Sequence, residues 1–391
     1  MDSETAPGSE TAPPPSVRAA RKDDHLRLAA ESRAAARPRN EFDDLEFLHH
    51  ALDGVDAHLV DLSVRVDRWR WPLPLYINGM TGGTELTERV NRELAIAARE
   101  TGIPMASGSV SIALDDPDAV RSFAVIREEN PDGFVMANLG AGSSPERAKR
   151  AVELLGANAL QLHLNPVQET VMPEGTRDFS RWPELLEQLV AASPVPVIVK
   201  EVGFGLSRRT LERLAQIGVR VADVSGSGGT DFVRIENSRR AAEAQPCFGF
   251  FDGFGQSAPA CLLDAPEGGP QLLASGGVRH PLDVVKALAL GARAVGVAGA
   301  FLDAVLAGGA ESLVRVIRDW REQTTELFAL LGATRAEKLS ATDVLVRGRL
   351  GEFCRLRGID ASRLSDRSQT RDPIQNTTSS SAAHLRGQFR R

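Results

Sequence analysis

Cysteine is scarce in this chain of 391 residues, cations do not outnumber anions, and no apolar run is long enough to span a bilayer. Cys247, Cys261 and Cys354 stand far apart and make an odd total, which fits neither a disulfide framework nor paired metal ligands. They read as reduced, buried thiols of a cytoplasmic protein. A net charge of −6 supplies no global basic field for nucleic acid or an anionic membrane surface. The N-terminus lacks the basic-then-apolar order of a secretion signal, so no membrane partner is expected. Apolar residues make up 42% of the chain, enough for one large α/β domain with extensions or for two smaller domains.

The ends are poor in apolar residues as well. Residues 1–17 form a Pro/Ala/Ser/Glu segment in which Glu4-Thr5-Ala6-Pro7 is nearly repeated by Glu10-Thr11-Ala12-Pro13. Such a segment cannot bury enough surface to offset the cost of ordering it. The Arg/Ser/Thr/Gln-rich stretch 361–391 reads the same way, as a mostly disordered tail. Asn376-Thr377-Thr378 matches a glycosylation acceptor there, and without a secretion signal it reads as chance.

What is present between the ends is a recurring unit of helix, glycine and strand. It occurs at Gly102 before Ile103-Pro104-Met105, at Gly156 before 159–165, at Gly218 before 219–225, and at Gly291 before 294–298. The glycine suits the left-handed position that ends a helix. Ser144-Pro145 and Ser207 stand where helix caps belong. Further strands are expected at 75–78, 134–138, 195–201 and 272–275. Short strands alternating with helices mean a parallel sheet, and about eight units close a (β/α)8 barrel. A doubly wound open sheet is the competing architecture. The barrel is favoured because nearly every strand ends in a polar or glycine-rich loop, as a single functional face requires.

The segment Ala159-Leu160-Gln161-Leu162-His163-Leu164-Asn165 alternates apolar with polar, so Gln161, His163 and Asn165 share one face of a strand. Burying that row is expensive unless it is hydrogen-bonded or meets a ligand. The following loop adds Gln168 and Glu169, an amide and a carboxylate. Glycine clusters end other strands: Asn78-Gly79-Met80-Thr81-Gly82-Gly83, Ser225-Gly226-Ser227-Gly228-Gly229-Thr230 and Ser275-Gly276-Gly277-Val278-Arg279. Residues without Cβ let backbone N–H groups approach an anion closely. One such cluster is explained by a tight turn; three on the same face favour a phosphorylated ligand. Gly276-Gly277 and Ala298-Gly299 would follow the seventh and eighth strands, where barrels bind phosphate. Asn138 closes one strand, and Lys200 with Glu201 closes another. Lys200 is either a solvated strand end or a cofactor contact.

Taken together, these segments resemble the flavin-dependent type 2 isopentenyl-diphosphate isomerases. The matching motifs are Arg21-Lys22-Asp23-Asp24-His25, Met80-Thr81-Gly82-Gly83, His163-Leu164-Asn165 with Gln168-Glu169, Val199-Lys200-Glu201-Val202-Gly203, the 223–230 loop and Ala274-Ser275-Gly276-Gly277. They stand in the family's order over roughly residues 18 to 360. The resemblance implies an FMN-binding TIM barrel over 75–360, with an extension, 18–74, contributing to the substrate site. FMN contacts would be Met80, Thr81, Gly82, Ser109, Asn138, Lys200, Ser225, Thr230, Gly276, Gly277, Arg279, Ala298 and Gly299. Arg21, Lys22, His163, Asn165 and Gln168 would address a prenyl diphosphate, with Gln168 also catalytic and Glu169 holding Mg²⁺. The implied reaction interconverts isopentenyl and dimethylallyl diphosphate, NADPH serving only to reduce the flavin. A homotetramer or octamer is implied too.

In one place the chain departs from the family. Many members show Gly-Ser-Gln-Arg after the second strand, where this chain reads Gly108-Ser109-Val110-Ser111. Serine cannot replace an arginine's bidentate grip on phosphate. Arg121 and Arg127 are the nearby candidates to compensate. Two other functions compete: an FMN barrel oxidising a 2-hydroxy acid with His163 as base, and a non-catalytic barrel binding a phosphorylated ligand. His49-His50 and His58 have apolar flanks and read as a surface or packed pair rather than a metal site.

Overall fold

The computed structural model describes residues 22–25, 27–28, 40–239 and 248–370. Eight parallel strands run in chain order around a closed barrel. They are β1 (Leu75–Ile77), β2 (Met105–Ser109), β3 (Val135–Gly140), β4 (Ala159–His163), β5 (Val197–Lys200), β6 (Val221–Asp223), β7 (Gln271–Ser275) and β8 (Ala294–Val297). The barrel, not the open sheet, is the architecture.

The two-residue period of each strand sorts its side chains between the helical layer and the barrel interior. Leu160 and Leu162 of β4 join the outer core, while Gln161 is buried inside the barrel. The interior is itself layered. Tyr76, Ala106, Met136, Ala159, Ile198, Val221, Leu273 and Ala294, one from each strand, make an apolar floor. Two residues further along their strands come Asn138, Gln161, Lys200, Asp223 and Ser275, all buried and polar. Only an interior that opens onto ligand or water at its upper end sustains that second layer. The antiparallel hairpin of Val64–Val66 and Trp69–Trp71 plugs the lower end with Val64, Val66 and Trp71.

The local signals act as the sequence suggests. Ser144 and Ser207 accept hydrogen bonds from Arg147 N and Thr210 N at the starts of their helices. Gly102 and Gly156 end the helices Glu85–Thr101 and Pro145–Leu155 in the left-handed conformation. The helix Gly299–Leu330 is broken by non-helical backbone at Gly308 and Gly309. Leu45–Phe47, ahead of the barrel, pairs antiparallel with Val344–Val346 beyond it. Order also runs past residue 360, because Ala361–Leu364 and Arg367–Thr370 form 3-10 turns. The Ser368 amide and hydroxyl both donate to Asp343, which fixes this end to the body. The segment 1–17 and the remainder of the tail lie outside the described residues. Among the described residues, no helix is long and apolar enough to cross a membrane.

Candidate active site

The loops after the strand C-termini enclose a cavity of about 1010 Å³. Its size suits a cofactor together with a small substrate. Met80, Thr81, Ser109, Asn138, Lys200, Ser225, Thr230, Gly276, Gly277, Arg279, Ala298 and Gly299 all line it, as do Lys22, His163, Asn165, Gln168 and Glu169. Gly82 does not. It packs against the Phe123 ring, where a Cβ would collide. Arg21 and Cys247 lie outside the described residues.

The row of polar side chains on β4 is satisfied by its neighbours. Asn138 Nδ2 donates to Gln161 Oε1 at 3.3 Å, and Asn138 Oδ1 lies 2.8 Å from His163 Nδ1. That orientation places the proton on Nδ1 and leaves Nε2 as an acceptor. Burial, with Lys200 and Lys22 nearby, lowers the His163 pKa to about 3, so the ring is neutral.

The short helix Pro166–Val171 carries the amide and the carboxylate one residue apart. Asn165 Nδ2 donates to Gln168 Oε1 at 3.2 Å and to Glu169 Oε1 at 3.1 Å. Thr176 N donates to Glu169 Oε2 at 2.8 Å. The other end of the Gln168 amide donates to Glu236 Oε1 at 3.0 Å. Glu236 is fully buried, is paired with Arg239, and accepts from His25 Nε2 at 2.8 Å. Burial alone would raise its carboxyl; His25, then Gln168 and Arg239, outweigh that and hold it at about 2. Residues 22–25 are thereby tied to the helix Phe232–Arg239.

On the neighbouring strand β5, where Lys200 is in register with His163, Lys200 Nζ donates to Glu201 O at 2.6 Å and lies 3.5 Å from Ser225 Oγ. Burial lowers the Lys200 pKa, while Asp223 and Glu201 act against the shift. Ser225 has a φ of 38°, a left-handed conformation uncommon for serine and a mark of local strain. The glycine loops press together there: a Cβ on Gly229 would come within 2.8 Å of Gly277 N, and one on Gly276 would strike Gly226 O. Thr81 Oγ1, after β1, and Ser107 Oγ, on β2, also line the cavity, buried and among the described residues without partners. Orphaned hydroxyls beside open backbone N–H groups fit a polar, phosphorylated cofactor.

Several expectations change in detail. The Arg279 side chain is bonded to Asp283 and Asp43, whose hydrogen bonds push its pKa up, so it braces the Glu41–Asp44 turn. Arg121 donates to Glu88, and Arg127 to the carbonyls of Leu155, Asn130 and Gly133; neither lines the cavity. His50 lies 3.0 Å from Asp343 Oδ2. Sequence reasoning missed Ser107 and Glu236, and it quoted His25 without assigning it a role. A single buried acid on an otherwise ordinary helix leaves no local periodic signal.

A parallel barrel with phosphate-type glycine loops over its seventh and eighth strands belongs to the phosphate-binding (β/α)8 barrels. A family profile described as FMN-dependent dehydrogenase matches residues 146–346. Mandelate oxidase bound to (S)-2-phenylpropionate shares the fold at a TM-score of 0.57 and 19% identity, over 83% of this chain and 90% of that one. Much greater similarity links the chain to isopentenyl-diphosphate delta-isomerases. That of Kitasatospora griseola is 55% identical over 90% of this chain and 96% of its own length. That of Nocardia farcinica is 55% identical over 89% and 96%. The chain belongs to the isopentenyl-diphosphate delta-isomerase family, in its flavin-dependent, type 2 form.

Proposed function

We propose that this chain interconverts isopentenyl diphosphate and dimethylallyl diphosphate, with FMN in the barrel mouth and Mg²⁺ on the substrate's diphosphate. One observation carries the reading: Lys22, His163, Asn165, Gln168 and Glu169 converge on the cavity that the glycine loops enclose. When bound, reduced flavin supplies the proton exchange at the alkene, for which no side chain here is acidic enough.

The chain's own residues supply binding, orientation and shelter from water. Gly276, Gly277, Ala298 and Gly299 would present backbone to the FMN phosphate. Met80, Thr81, Ser109, Asn138, Ser225 and Thr230 would contact the remainder, with Lys200 as a cation against the reduced ring. Lys22 would hold the diphosphate with Arg21 and Asn165, and neutral His163, whose Nε2 can only accept, would take a hydrogen bond from a protonated phosphate oxygen or a water on it. Glu169 would supply the single carboxylate that Mg²⁺ needs when phosphate oxygens and water complete its shell. Among the described residues, no group of three acidic, histidine or cysteine side chains could hold a metal alone, so the ion would arrive with substrate. Gln168, its amide fixed between Asn165 and Glu236, would sit at the alkene end and assist the return of the proton.

NADPH as reductant, a homo-oligomer in which the 18–74 segment completes the substrate site, and a cytoplasmic location belong to the same reading. Oxidation of a 2-hydroxy acid is less well supported. An imidazole held at about 3 is a poor base at neutral pH, and Arg279 is already matched to two carboxylates. The test is anaerobic incubation with FMN, NADPH, Mg²⁺ and isopentenyl diphosphate. We expect the allylic isomer to accumulate, and flavin bleaching by a hydroxy acid without any isomer would refute the assignment.

A further inference from the structure

The cavity wall between β2 and β3 holds an arginine to which nothing above gives a role. Arg147 lies in the first turn of Pro145–Leu155, its backbone N–H capped by Ser144. Its guanidinium meets Asp115 along one edge, Nη1 to Oδ1 at 2.6 Å and Nη2 to Oδ2 at 3.1 Å. Nη2 also donates to the backbone oxygen of Ser111 at 3.1 Å. Ser109 Oγ and Ser111 Oγ stand 3.1 Å apart alongside, and Arg147, Asp115 and both serines line the cavity.

An arginine has five N–H donors in a rigid plane. Three are used here, and among the described residues the Nε–H and the outer Nη1 hydrogen find no acceptor. The group is thus held rigid by the protein with donors to spare, as a site for a phosphate oxygen requires. Of the other cations that line the cavity, Lys200 lies deep beside Glu201 and Ser225, Arg279 is matched by two carboxylates, and Lys22 and Arg181 come from other segments.

We propose that Arg147, held in place by Asp115, binds the diphosphate of the substrate and supplies the positive charge that Ser111 cannot. The proposal rests on the isomerase reading and adds an anchoring residue to it. Arg147 belongs to the loop and helix after β3, whereas the glycine loops proposed for the FMN phosphate follow β7 and β8. Substrate and flavin phosphates are therefore separable by experiment.

The test compares Arg147→Gln, Arg147→Lys and Asp115→Asn as FMN-loaded full-length chains. Two quantities are read: isomerase KM against kcat, and inhibition by inorganic pyrophosphate. For Arg147→Gln we expect KM and the pyrophosphate inhibition constant to rise roughly ten- to a hundredfold, the scale of one charged hydrogen-bonded contact. Flavin content should not change, and Arg147→Lys should restore part of the loss. Asp115→Asn keeps the guanidinium and an amide oxygen to orient it, so it should weaken pyrophosphate binding far less than Arg147→Gln does. Equal weakening by Arg147→Gln and Asp115→Asn would make the pair a structural brace and overturn the proposal. So would loss of FMN from Arg147→Gln, or an unchanged KM. Absence of isomerase activity in the unaltered chain would instead strike the underlying reading.

Discussion

Glu169 offers the sharpest test at the residue scale, because glutamine matches its shape but lacks its charge. We expect Glu169→Gln to lower turnover at least tenfold and to raise the Mg²⁺ concentration needed for half-activity, as a magnesium titration would show. Gln168 has no charge to lose. Its two amide ends are held by Asn165 and the buried Glu236, so Gln168→Ala should slow turnover strongly while the flavin spectrum stays. Removing the charge that orients it, with Glu236→Gln, should cost roughly ten- to a hundredfold in rate, the scale of a hydrogen bond to a buried charge. His163 yields a pH prediction. Its pKa falls from 6.5 to about 3 on folding, so below pH 6.5 the unfolded chain takes up a proton that the folded one refuses. Folded stability should therefore fall as pH drops from 6.5 towards 3, and a Tm series should show a flatter slope for His163→Gln.

At the scale of the element, the charged residues 22–25 look from sequence like any solvated arm. The hydrogen bond from His25 to Glu236 turns them into a wall of the cavity. No local pattern announces this, because the partners stand 211 residues apart. The β4 segment is the opposite case. Its alternation alone separates Leu160 and Leu162 from Gln161, and the barrel preserves that division. The hairpin of Val64–Val66 and Trp69–Trp71 was legible only as part of an extension, yet it caps the barrel floor with Trp71, which is 1% exposed. Trp71→Ala should destabilise the fold by about 3–5 kcal/mol, read by denaturant titration, because the closed barrel end cannot collapse to fill the void.

For the whole molecule, the glycine loops, the strained Ser225 and the orphaned Thr81 and Ser107 hydroxyls describe a mouth completed by a ligand. Adding FMN at a hundred times its Kd should stabilise the folded state by about 2.7 kcal/mol, seen as a rise in Tm with flavin concentration. A chain whose Tm ignores FMN would contradict the cofactor assignment.

The order of strands and helices, the helix caps at Ser144 and Ser207, and the polar row of β4 were fixed by the sequence itself. Each follows from steric and hydrogen-bonding rules acting over a few neighbouring residues. The motifs also named most of the residues that surround the cavity. Tertiary structure decided which side chains are already committed to one another. Arg279 is spent on Asp43 and Asp283, Gln168 is oriented by Glu236, and Arg147 rather than Arg121 or Arg127 reaches the wall beside Ser111. Those pairings join residues far apart in the chain, and their geometry exists only once the barrel has closed.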